Sequence, residues 1–235
     1  MSEPALSVAF FDPARRIHGL ARAGATLLFE DTHSTVLDQP ARIGPSAGGY
    51  AAAVEGRFEI ELEPASEPAE LAGTRVWVCR ARGTVDGAPV EGLGTVSESL
   101  RPPSWEDLDA LRALSLLADS GHALLAVARR PRGVAGHGDE LISAVLLSDG
   151  QLADAEEARL STVYDGEGRQ RSAGLELWLP GEDFPRRASG AVAAGSSLEL
   201  EGLNVHAAVF RWSLEGRDAY GQYELAVRAP VPEAA

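Results

Sequence analysis

Two short stretches of this 235-residue chain set titratable side chains against apolar ones. Glu30, Asp31 and His33 close the run LLFEDTH. A carboxyl withdrawn from water at the end of an apolar strand has a raised pKa, so it can protonate an alkene or a carbonyl, with the imidazole beside it as base. His137, Asp139 and Glu140 lie in GVAGHGDELIS, where Gly136 and Gly138 allow a tight backbone and leave the ring accessible. These six residues are the candidate catalytic groups. Each stretch also has a plainer reading, the first as a polar strand end and the second as a solvent-exposed turn. Trp178, His206, Trp212 and Tyr220 form a third group, carried on strand-like runs. They are candidate ligand-binding residues, aromatic rings lining an apolar cavity with His206 or Tyr220 as its polar contact, unless they pack as ordinary core.

Other chemistries lack their residues. The chain has no lysine, which removes Schiff-base catalysis, and no G-x-S-x-G elbow for a serine nucleophile. Cys79 is the single cysteine, so no internal disulfide forms. Glu30 with His33, and His137 with Asp139, supply metal-ligand types at short spacing, but only the second pair shares a strand face and no third ligand stands near it, so no metal site is expected. There is no dinucleotide or P-loop fingerprint, and no cofactor is expected. With 21 basic against 35 acidic residues, the net charge of -14 argues against nucleic acid as a partner. No window approaches a membrane span and the first residues lack a signal-peptide pattern, so a cytoplasmic location is expected.

The elements that must position these groups read as strands. FEIELE (residues 58–63) and LELE (198–201) alternate apolar with acidic side chains, the period of a strand with one buried face. Val85-Asp86-Gly87 followed after four residues by Gly92 matches Leu214-Glu215-Gly216 followed after four residues by Gly221. Each copy links two β-like runs through a tight-turn signal. This repetition divides the chain into two related β-lobes, residues 1–101 and 121–235. Between them, Pro102 and Pro103 break the β pattern, Ser104 with Asp107 resembles a capping box, and Leu108, Leu111, Leu114 and Leu117 recur at helical spacing. The spacing predicts a connecting helix within 102–120, centred on 105–118. Arg80 and Arg211 occupy comparable places in the two copies and are expected to pair with Glu91 and Glu224.

The stretch ARGTVDGAPVEGLGTVSES (residues 81–99) resembles the closing hairpin of the two-lobed lipocalin-like proteins related to AttH, to carotenoid hydratases of the CrtC type and to some fungal Diels–Alderases. FRWSLEGRDAYGQYELAVRA (residues 210–229) is similar in layout. The resemblance implies an all-β fold of two lipocalin-like antiparallel barrel or sandwich lobes joined by one helix, each lobe with room for an apolar cavity. It also implies a function: binding of a terpenoid, lipid or polyketide-like molecule, with cofactor-independent hydration, isomerisation or cyclisation as its chemistry. The other reading is a catalytically inactive scaffold or accessory protein, for which oligomerisation stays open.

Overall fold

The computed structural model describes residues 5–134 and 139–228. In the first sheet, β1 (Ala5–Asp12), β2 (Ile17–Arg22), β3 (Ala25–Glu30) and β4 (His33–Val36) run as a meander. The chain then crosses to the far edge. From there β5 (Arg42–Ser46), β6 (Gly49–Val54), β7 (Phe58–Pro64), the short β8 (Ala69–Leu71), β9 (Thr74–Val85) and β10 (Ala88–Ser99) lead back until β10 pairs with β1. The second sheet repeats this path. A meander of β11 (Leu108–Asp119), β12 (His122–Pro131), β13 (Leu141–Ser148) and β14 (Gln151–Asp154) is followed by β15 (Glu157–Tyr164), β16 (Gln170–Trp178), β17 (Arg186–Leu200), β18 (Leu203–Leu214) and β19 (Arg217–Arg228), and β19 closes on β11. Both sheets are antiparallel and curl into half-barrels, and the described residues contain no α-helix.

The matched hairpins sit where the repetition places them. Asp86 and Gly87 turn β9 into β10 with φ of 47° and 80°, and Glu215 and Gly216 turn β18 into β19 with φ of 50° and 82°. Two consecutive left-handed residues make the two-residue turn whose twist suits antiparallel strands. The two later glycines solve one steric problem twice. A Cβ on Gly92 would lie 2.0 Å from the Phe11 carbonyl oxygen, and one on Gly221 would lie 1.7 Å from that of Ser115. In each lobe, glycine lets the first strand approach the last.

Each sheet buries both faces. On β1, Val8 and Phe10 join a core made only of first-lobe residues, whereas Ala9 and Phe11 join a core shared by the two lobes. On β12, Leu124, Ala126 and Ala128 fill the second lobe, and Ala123 and Leu125 face the first. A strand covered on both sides reads as a nearly continuous apolar run. That is why the expected connecting helix is in fact β11. In LDALRALSLLAD, Leu108, Ala110, Leu114 and Leu116 are buried, with all but Leu108 in the second-lobe core, while Leu117 packs toward the first lobe. Leucines three apart arise there by coincidence of two strand faces, and the second lobe begins with this strand.

The expected Arg80 and Arg211 pairs also differ. Register puts Glu91 opposite Arg82, which it meets at 3.4 Å, and puts Arg80 opposite Leu93. Arg211 lies opposite Tyr220 and pairs with Asp218 at 3.5 Å, while Glu224 lies opposite Ala207. Four residues along a strand are about 13 Å, too far for that contact. Glu224 instead meets Arg22 of the first lobe at 2.5 Å.

Candidate functional site

A concavity of about 530 Å³ lies between the two sheets rather than inside either lobe. Alternation along the strands builds its walls. Thr95, Ser97 and Ser99 share the face of β10 that looks toward the second lobe, while Val96 between them is buried in the first-lobe core. Ser7 of β1 lies directly opposite Ser97, and Thr74 of β9 directly opposite Ser99, so neighbouring strands widen the hydroxyl row into a patch. The second lobe answers with Leu111 and Ala113 of β11, Leu125 and Val127 of β12, and Val205 of β18. Down β19, Gln222 and Glu224 add a polar line, and the Gln222 backbone N–H donates to Ser115 Oγ at 3.2 Å. Arg22 donates to Glu224 across the seam, and Trp105, from the segment joining the sheets, also lines the cavity. Arg129 stands on the second-lobe side with its Nε buried and without a partner among the described residues.

None of the sequence-predicted site residues that the structure describes lines this cavity. Glu30, Asp31 and His33 form the exposed tip of the β3–β4 hairpin: Glu30 lies opposite His33, and Asp31, at φ 54°, pairs with Arg16 at 3.1 Å. His137 lies outside the described residues. Asp139 is exposed, whereas the Glu140 carboxylate is buried and meets buried Arg112 at 2.9 Å. Arg112 projects from the β11 face that carries Ala110 and Leu114 into the second lobe, 6.0 Å from the Tyr164 ring. The Tyr223 hydroxyl is 2.7 Å from Thr162 Oγ1, and burial pushes its pKa well up. A charged and hydroxylic cluster therefore closes part of the second-lobe interior.

The aromatic candidates separate. Trp212 is buried and stacks on Phe210 with ring centres 4.9 Å apart, filling the second lobe. Trp178 faces outward beneath the Arg159 guanidinium, 4.8 Å away. His206 Nδ1 lies 2.7 Å from Ser197 Oγ, and burial lowers its pKa. Tyr220 belongs to the shared inter-lobe core, where it stacks on His18 with ring centres 5.8 Å apart. Among the described residues, no three His, Cys, Asp or Glu side chains converge as a metal site.

Two curled sheets of like strand order with a cavity between them can be compared with solved structures. Kievitone hydratase from Nectria haematococca superposes with a TM-score of 0.55 at 10% identity, covering 97% of this chain and 89% of the hydratase. A Nitrosomonas europaea protein assigned as an AttH superposes with a TM-score of 0.59 at 13% identity, covering 96% of this chain and 92% of that one. The chain has the AttH-like two-lobed fold. No protein-family model and no curated protein matches its sequence. Within the AttH-like fold, the cavity residues that sequence reasoning passed over are Ser7, Thr95, Ser97, Ser99, Arg22 and, as a wall residue, Glu224. One signal for them was present: TVSES and QYE place a polar residue at every second position, on the strand faces opposite Val96 and Tyr223.

Proposed function

We propose that this chain is a cytoplasmic protein that binds an apolar small molecule between its lobes, with cofactor-independent hydration of that molecule as its chemistry. One observation carries the reading. The interior of each lobe is occupied by side chains, Phe10, Phe58 and Ile60 in the first and Leu116, Phe210 and Trp212 in the second, while the space between them stays open to about 530 Å³. That volume is within the range of small-molecule sites, which combine apolar walls with a few placed polar groups. The likeness in fold to a hydratase supports hydration as the reaction class, by analogy of fold. For that reaction the wall offers the Glu224 carboxyl at the seam to exchange a proton, and hydroxyls on β10 to orient a water. We also read the two lobes as copies of one ancestral unit, on their matching strand orders and turns.

Native mass spectrometry of gently purified protein, with organic extraction of whatever it retains, tests the reading. A defined apolar adduct is expected, and Ala113→Phe, which places a ring in the cavity, is expected to abolish it. An adduct that survives this substitution, or a protein that takes up no member of a terpenoid, fatty-acid and polyketide panel, would overturn it. Glu224→Gln separates binding from chemistry: the adduct persists, and conversion of a substrate found this way stops.

A further inference from the structure

One wall of the cavity carries a row of hydroxyls that specifies the ligand. Both walls are largely apolar; the second-lobe wall sets Ser115, Arg129, Gln222 and Glu224 among its aliphatic side chains, and the first-lobe wall presents the hydroxyls of Ser7, Thr74, Thr95, Ser97 and Ser99. Thr95 is 2% exposed and still lines the cavity, and no side-chain hydrogen bond among the described residues engages it or the other four hydroxyls. A hydroxyl that faces the cavity without a protein partner needs an oxygen or nitrogen from whatever displaces the water beside it. Alternate residues of a strand are about 7 Å apart, so Thr95, Ser97 and Ser99 form a row of about 14 Å along the wall. Polarity on this wall is thus spread along the strand and not gathered at one end.

This arrangement excludes two kinds of fit. A hydrocarbon would leave the whole row unsatisfied. A head-and-tail lipid would satisfy one end and lay its chain against hydroxyls. The charged groups of the lining balance, Arg22 and Arg129 against Glu201 and Glu224, with Arg22 bonded to Glu224, so the site presents no net charge for an ionic head to neutralise. Resting on the binding reading above, we infer that the ligand is an apolar skeleton bearing several neutral oxygen functions, hydroxyl or keto, along one edge. The hydroxyl row of β10 meets that edge, and Leu111, Leu125, Val127 and Val205 of the second lobe cover the apolar side.

Three probes of similar bulk decide the matter: androstanediol, the parent hydrocarbon androstane, and palmitate. Binding is read by displacement of an apolar fluorophore and by quenching of Trp105, which lines the cavity. Androstanediol is expected to bind at least tenfold more tightly than either of the others. Thr95→Val with Ser97→Ala is expected to lower its affinity about tenfold for each hydroxyl bond lost, and to leave androstane unchanged or improved. Thr95→Val alone is nearly isosteric and serves if the pair does not fold. Equal or tighter binding of androstane or palmitate, or a diol preference that survives the substitutions, overturns the inference while leaving the cavity as a binding site. If no probe binds the unaltered protein, the binding reading itself fails.

Discussion

Among single residues, His18 is the one whose ionisation the lobe packing opposes most directly. Its ring is 3% exposed, lies between Phe11 and Tyr220, and has no partner for Nδ1 among the described residues. Burial lowers its pKa from 6.5 to about 4, although the nearby Asp12 carboxylate works in the other direction. The unfolded chain therefore binds a proton that the folded chain refuses between these two values. Stability from this residue is complete above pH 6.5, falls as pH drops toward 4, and amounts to at most about 3 kcal/mol. Asp12 acts in a lower window. Despite its own desolvation, hydrogen bonds from the backbone N–H groups of Glu91 and Arg15 and from the Arg15 guanidinium lower its pKa, so its contribution is lost only below about 4. Urea denaturation at a series of pH values is expected to show a decline between pH 6.5 and 4 that His18→Phe removes. A decline unchanged in the variant would assign it to other groups.

At the scale of elements, glycine placement was legible in the sequence and strand identity only in part. The repeated turn-plus-glycine pattern located both closing hairpins because a two-residue turn and a close strand approach each demand particular residues. The segment from Leu108 to Asp119 was not legible, since burial on two faces erased the alternation that marks a strand. The site was hidden for a related reason. Ser7, Thr95, Ser115 and Glu224 meet only through register between distant strands, whereas the titratable clusters compact in sequence fall at a hairpin tip for Glu30, Asp31 and His33, and in the second-lobe interior for Glu140. The matched glycines make a direct test. Gly92→Ala and Gly221→Ala each drive a Cβ into a carbonyl of the neighbouring strand and are expected to destabilise by about 3 kcal/mol or to prevent folding. Gly44 has nothing within 4 Å of a built Cβ and no left-handed φ, so Gly44→Ala should change stability by less than about 0.5 kcal/mol. Denaturation midpoints that fail to separate the two closing-hairpin variants from this control would show that the strands can move apart at little cost.

For the molecule as a whole, the question is what holds two half-barrels at a fixed spacing while leaving a cavity between them. Most of the answer is apolar: Phe11, Phe29 and Val78 from one lobe and Leu117, Leu125 and Val209 from the other share one core. At the cavity, where that core gives way to hydroxyls, the lobes meet through the Arg22 and Glu224 pair. Its side chains are 37% and 20% exposed, so solvent screens much of the attraction and the pair is worth about 1 kcal/mol or less. Its value is then mainly geometric, fixing the seam at one point and holding the Glu224 carboxylate against the wall. A double-mutant cycle with Arg22→Met and Glu224→Gln is expected to give a coupling of about 0.5–1 kcal/mol that shrinks in high salt, with all variants still unfolding in one transition. A coupling of several kcal/mol would mean that the pair, and not the shared core, sets the spacing of the lobes. A coupling of zero would mean that the pair does not hold in solution, and that a ligand can enter beside it without any charged contact being broken.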